Sequence, residues 1–109
     1  MLDMVRDIVL DTNVLAEFLA QYFESSSRRK PVFHERGFIS HKLAQSMNRI
    51  VRRWSDPLID QYPGHLVAST LAFVEISRKW ESIVHERFDV MQMAAFIEQA
   101  PVWFIIEPI

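Results

Sequence analysis

The stretch from Ile8 to Asn13 most constrains the fold, because an uninterrupted apolar run there ends abruptly in a carboxylate. Ile8, Val9 and Leu10 do not alternate with polar residues, as they would in a strand with one face exposed to solvent. They predict a strand covered on both faces, as in the parallel sheets of α/β proteins. Asp11 then follows at the carboxyl end of the strand. Open parallel sheets bind ligands at that end, so Asp11 is the first candidate functional residue.

The rest of the chain alternates between helical and strand patterns. Short strands are predicted at residues 65–68 and 102–106. Four helices are predicted, the first over residues 14–23, and Thr12 or Asn13, Ser69 or Thr70, and Asp89 are expected to cap the first, third and fourth. Each predicted helix has one apolar stripe. The stripes are Leu15, Phe18, Leu19 and Tyr22 in the first helix; Leu43, Met47, Ile50 and Trp54 in the second; Phe73, Ile76, Trp80, Ile83 and Val84 in the third; and Val90, Met93, Ala94 and Ile97 in the fourth. Helical crossovers between strands predict a three-layer α/β/α fold with a short parallel sheet.

Composition narrows the class of protein. A chain of 109 residues that is 50% hydrophobic fits one globular domain. It contains no cysteine, which excludes a disulfide framework, a thiolate metal site and a cysteine nucleophile. No apolar run approaches the roughly 18 residues of a membrane span, and the start lacks the features of a secretion signal. We expect a soluble, cytoplasmic protein.

Charge is distributed unevenly along the sequence. Residues 25–54 hold eight of the twelve basic residues but only one of the fourteen acidic residues. On the second predicted helix, Lys42, Arg49 and Arg53 recur at near-helical intervals opposite the apolar stripe. Such a face can attract a polyanion, although a solvated loop and helix surface explains the charge alone equally well.

Carboxylates are the best-placed groups for chemistry. The only two glycines are Gly37 and Gly64, so no glycine-rich phosphate loop exists, and no Gly-x-Ser-x-Gly elbow frames a nucleophile. The four histidines are scattered and lack the spacing of a metal pair on one helix. Two acids remain: Asp11 at a strand end and Glu75 in the first turns of the helix after the second strand.

Two blocks resemble the PIN domain family. Residues 8–15, IVLDTNVL, are similar to the opening of that family, and residues 69–76, STLAFVEI, are similar to the block with its second acid. The closing residues 104–109 resemble the strand that follows. The resemblance implies a Mg²⁺- or Mn²⁺-dependent ribonuclease, often the toxin of a toxin-antitoxin pair whose antitoxin covers the active site. Asp11 and Glu75 would be metal ligands, and Asn13 would help to position Asp11 or would hydrogen-bond water and phosphate. The basic residues expected to hold RNA are Arg28, Arg29, Lys30, Lys42, Arg49 and Arg53.

The family's third and fourth acids have no counterpart in this sequence. They lie beyond the position of Ile109, and Asp56, Asp60 and Glu107 do not occupy matching places. We therefore expect residues 1–109 to form a single but incomplete PIN-like domain, its N-terminal portion. The missing strands would flank the first strand. Its open edge is then expected to pair with a second copy or with a separate second-half chain.

Simpler alternatives stay open at this point. Asp11 could serve only as a helix cap, and Glu75 could pair with Lys79 one turn later. A catalytically silent PIN-like module that binds a protein partner fits the same pattern. A phosphotransferase of the haloacid dehalogenase type also has an Asp after its first strand, but it needs a second Asp where this chain has Asn13.

Overall fold

A computed structural model describes residues 6–25, 30–56, 58 and 63–108. Within these ranges, three strands and four helices follow one another, with two helices between successive strands: β1 (Ile8–Val9), α1 (Thr12–Glu24), α2 (His41–Ser55), β2 (Leu66–Ser69), α3 (Thr70–Val84), α4 (Val90–Glu98) and β3 (Phe104–Glu107). The predicted order of elements is confirmed, with boundaries that differ by one or two residues. No helix in the described ranges is long and apolar enough to cross a membrane.

The strands form one parallel sheet in the order β1-β2-β3. Ile8 pairs with Leu66 and Leu66 pairs with Phe104, so the three strands start at a shared edge. This amino edge lies opposite the carboxyl edge, where the strands end beside Asp11, Ser69 and Glu107. The α/β class with a small parallel sheet is confirmed.

Helices α1, α3 and α4 pack against the same face of the sheet. Phe18 of α1, Phe73 of α3 and Phe96 of α4 all contact the ring of Phe104, with centroids 5.2, 6.3 and 5.0 Å away. Right-handed crossovers that proceed in one direction across a sheet place their helices on one side, which agrees with these contacts. These contacts involve one face of the sheet and do not show a layer of helices on the opposite face. The three-layer arrangement therefore stays a prediction.

Side-chain caps start the helices where the chain leaves an extended conformation. Asp11 caps α1 through a 2.9 Å hydrogen bond from the Val14 amide, so the prediction of Thr12 or Asn13 was wrong. Ser69 and Asp89 cap α3 and α4 as predicted. Each cap supplies an acceptor for an amide that has no partner within its helix.

Residues 31–39 are held between α1 and α2 by two side-chain amides. Gln21 bonds both backbone groups of His34, at 2.8 and 2.9 Å, and Asn48 bonds both backbone groups of Phe33, at 2.7 and 2.9 Å. Phe33 and Ile39 are fully buried. The sequence indicated only a polar loop before this segment, whereas the structure shows that the segment contributes to the core.

The packed face of α4 differs from its predicted apolar stripe. Met93 and Phe96 are buried, but Val90 is 64% exposed and Ile97 is 45% exposed. Nearly every position of this short helix is apolar, so the spacing of hydrophobic residues cannot specify which face meets the core. In the other three helices the predicted stripes are buried or half-buried.

Candidate functional site

The carboxyl edge of the sheet contains a cleft in which acidic and hydroxyl side chains lie among apolar ones. Its volume is about 260 Å³, and its polar lining residues are Asp11, Thr12, Ser69, Glu75 and Glu107. Each follows from the topology, because Asp11 comes after β1, Ser69 ends β2 just before α3, and Glu107 ends β3 in register with Ser69. The structure thus brings together Asp11 and Glu75, the two acids singled out in the sequence.

Asp11 has a structural role and free coordinating capacity at once. Its Oδ1 atom accepts the hydrogen bond from Val14 that caps α1, which is the alternative foreseen for this residue. Its Oδ2 atom accepts no hydrogen bond from the described part of the chain, and the residue is exposed. Oδ1 therefore fixes the orientation of the carboxylate, and Oδ2 remains for binding a ligand.

Glu75 is tied to the start of α1 rather than to its own helix. The Thr12 hydroxyl donates a 2.7 Å hydrogen bond to Glu75 Oε2, across 63 positions of sequence. The half-buried Glu75 carboxylate is therefore fixed next to the residue that follows Asp11. Sequence reasoning considered Thr12 only as a cap, because nothing local indicates a partner so far along the chain.

Glu107 is a cleft residue that the sequence analysis set aside. It lines the cleft with Asp11 and Glu75, and its backbone carbonyl accepts a 3.0 Å hydrogen bond from the Thr70 hydroxyl. Its position at the end of an apolar strand was the available signal. Among the described residues, no three His, Asp or Glu side chains converge closely enough to hold a metal ion.

Asn13 does not join this group in the described structure. It is half-buried in the first turn of α1 and is absent from the residues that line the cleft. Its predicted role in positioning Asp11 stays a prediction.

None of the basic residues predicted to hold RNA is among the described residues that line the cleft at the carboxyl edge. Trp54, near the end of α2, donates a 2.8 Å hydrogen bond to the carbonyl of Gly64, just before β2. Phe33 contacts the ring of Trp103, just before β3. Helix α1, which Asp11 caps, has 13 residues, so at 1.5 Å per residue it is about 20 Å long.

The predicted RNA-binding residues lie at several places in the structure. Lys30 and Arg49 line a second cleft, beside Asn48. Lys42 is exposed in the first turn of α2, and Arg53 is half-buried near its end. Arg28 and Arg29 lie outside the described residues. Lys30 and Arg49 thus line a different cleft from Asp11 and Glu75.

Comparison with known proteins adds no relative from which a role could be transferred. The chain matches no family model, no curated protein and no solved structure. The functional assignment therefore depends on the cleft at the carboxyl edge and on the chemistry of its side chains.

Proposed function

We propose that the cleft at the carboxyl edge binds Mg²⁺ or Mn²⁺ through Asp11 and Glu75 and serves the hydrolysis of RNA phosphodiester bonds. One observation carries the proposal. The acids of the two PIN-like sequence blocks, 64 positions apart, line the same cleft at the edge where parallel sheets bind ligands. The PIN resemblance supplies the substrate class and the possibility of a toxin paired with a protein antitoxin.

The donor set suits a hard divalent cation. Mg²⁺ prefers carboxylate oxygens, commonly uses one or two of them, and retains several water molecules. The capping bond to Asp11 uses Oδ1, and the bond from Thr12 uses Glu75 Oε2. Asp11 Oδ2 and Glu75 Oε1 are the oxygens through which these side chains would hold the ion.

The chain's own contribution is to position the carboxylates in advance. The Val14 amide fixes one carboxylate, and the Thr12 hydroxyl fixes the other. A divalent ion, when bound, supplies an acidified water and neutralises phosphate charge. Carboxylates that are already oriented lose less conformational entropy on binding an ion, which favours affinity.

A second candidate function is a PIN-like interaction module without catalysis. The amides of Ile8 and Leu10 donate to His65 and Val67 of the neighbouring chain segment, so the backbone groups of Val9 point away from β2. The Val9 side chain is 76% exposed. This edge can accept a strand from a second copy or from another protein, including an antitoxin.

Isothermal titration with Mn²⁺ and cleavage of a labelled RNA test the nuclease proposal. Asp11→Asn retains a capping oxygen but loses the charge, and Glu75→Gln does the same for the second donor. Both are expected to abolish Mn²⁺ binding and RNA cleavage. Glu98→Gln, an exposed change on α4, is the matched control and should leave both unchanged. If wild type and Asp11→Asn give the same titration, the metal site does not exist.

If the protein is an interaction module without catalysis, the same experiments should give the opposite results. Wild type would neither bind Mn²⁺ nor cleave RNA, yet light scattering would show a dimer. A Val9→Lys change at the exposed edge would then dissociate it. A monomer in wild type that cleaves RNA would exclude this second function.

A further inference from the structure

A groove between α1 and α4 has aromatic walls and no charged lining residue among those described. Its volume is about 210 Å³, and it is lined by Tyr22, Phe23, Gln92, Ala95, Phe96 and Gln99. Phe96 is buried, and its ring meets the ring of Tyr22 edge-on with centroids 5.0 Å apart. Tyr22 and Phe23 are half-buried, whereas Gln92 and Gln99 are exposed. None of the six residues lines the cleft at the carboxyl edge.

Three side chains of the groove have hydrogen-bonding groups that the fold does not use. The Tyr22 hydroxyl and the side-chain amides of Gln92 and Gln99 form no hydrogen bond in the described part of the chain. Burial raises the pKa of Tyr22 above 10.0, so the phenol stays protonated at neutral pH and can donate. The groove therefore combines aromatic surface with donors that suit the carbonyl groups of a ligand.

We propose that this groove binds a proline-rich segment of another protein in the polyproline II conformation. Polyproline II has no internal hydrogen bonds, so its carbonyl groups are free to accept. Proline has no backbone N–H, so docking in the groove leaves no proline donor without a partner. Aromatic-lined grooves bind such segments, whose conformation is largely fixed before binding. The inference depends neither on the proposed nuclease function nor on the open edge of β1.

Other ligands fit the groove less well. The carbonyl groups of a helical peptide are bonded within the helix and would leave the donors of the groove unused. A peptide that adds a strand needs a free backbone edge, whereas the walls of this groove are two helices. Sites for small molecules commonly have volumes of about 300–1,000 Å³, which exceeds the volume of this groove.

The spacing of the two glutamines matches one turn of polyproline II. Gln99 is the C-cap of α4 and follows Gln92 by seven positions, so the two lie on one side of the helix about 10 Å apart. In polyproline II, every third residue returns to the same side after about 9 Å. Carbonyl groups three residues apart can therefore accept from both amides at once, with proline rings against Tyr22 and Phe23.

Fluorescence anisotropy with a labelled, end-capped decaproline peptide in EDTA tests the proposal. Wild type should bind the peptide with a saturable curve. Gln92→Ala/Gln99→Ala should weaken binding about 25-fold through the loss of two hydrogen bonds, and Tyr22→Phe, which retains the ring, should weaken it about fivefold. Gln45→Ala, an exposed amide on α2 outside the groove, is the control and should bind as wild type does.

Two further peptides identify what the groove recognises. Decaproline made of D-residues forms the mirror-image helix and should bind at least about tenfold more weakly; equal binding would reduce the interaction to non-specific apolar contact and overturn the proposal. A helical peptide of alanine, leucine and glutamine that binds more tightly than decaproline would assign the groove to a helix and refute it. Absence of decaproline binding by wild type, or equal affinity in Gln92→Ala/Gln99→Ala, would do the same. Asp11 and Glu75 are unchanged throughout, so these results do not bear on the metal site.

Discussion

Replacement of Asn48 by alanine is expected to destabilise the fold substantially, because its amide holds a buried backbone segment that has no neighbouring strand. Asn48 accepts from the Phe33 amide at 2.7 Å and donates to the Phe33 carbonyl at 2.9 Å. Phe33 is 2% exposed, so solvent does not readily replace these bonds. Two bonds worth about 1 kcal/mol each, plus partial desolvation of the groups left without partners, give a loss of about 2–4 kcal/mol.

Urea unfolding measures this loss directly. With an m value of about 2 kcal/mol per molar urea, the midpoint should fall by about 1–2 M. Gln45→Ala is the control, an exposed amide one turn earlier on α2, and should stay within about 0.5 kcal/mol of wild type. Equal stability of Asn48→Ala and Gln45→Ala would refute the role assigned to the two bonds.

Asn48→Asp separates the donor from the acceptor. The new carboxylate can still accept from the Phe33 amide but confronts the Phe33 carbonyl, so its pKa in the folded state should be raised. The protonated form can donate to that carbonyl. Stability relative to wild type should therefore be greatest below the unfolded value of about 3.9 and be lost as pH rises through the folded pKa. A difference from wild type that does not vary between acid and neutral pH would contradict this.

Three further outcomes follow from individual contacts. Thr12→Val should cost about 1–2 kcal/mol in urea unfolding by removing the hydrogen bond to Glu75, whereas Thr12→Ser should restore most of it. Burial raises the pKa of Tyr22 above its ordinary value of 10.0. The unfolded chain therefore releases the phenolic proton at lower pH than the folded protein, and the free energy of unfolding should fall as pH rises above 10.0. Tyr22→Phe in a Tyr62→Phe background should remove this part of the pH dependence. Gly37 has φ of 56°, and Gly37→Ala should lower the melting temperature through a strain of roughly 1–2 kcal/mol.

Local signals in the sequence predicted the elements of this fold well. Ser69 and Asp89 initiate their helices as expected, because a cap depends only on the next three residues. The apolar run at Ile8 predicted a strand correctly for the same reason. Thr12 or Asn13 was predicted to cap α1 in place of Asp11, because all three are polar residues that can occupy a cap position.

Contacts between distant segments could not be predicted in this way. The bond from Thr12 to Glu75 and the clamp of Phe33 by Asn48 depend on how helices approach one another, which no local spacing encodes. Glu107 reaches the cleft through the register of β3 against β2. The charge pattern likewise identified Lys30 and Arg49 but not their position in a cleft separate from the one that Asp11 and Glu75 line.

The aromatic contacts of Phe104 distribute local stability unevenly along the sheet. Rings from α1, α3 and α4 meet at this first residue of β3, so the amino edge opens only if three helices loosen together. At the carboxyl edge, the Thr70 hydroxyl bonds the carbonyl of Glu107 in β3, and the Thr12 hydroxyl joins α1 to Glu75 of α3. Amide hydrogen exchange should therefore quicken along β3 from Phe104 toward Glu107. The acidic cleft would then lie where the molecule opens most easily, and a ligand could enter it while the core stays closed.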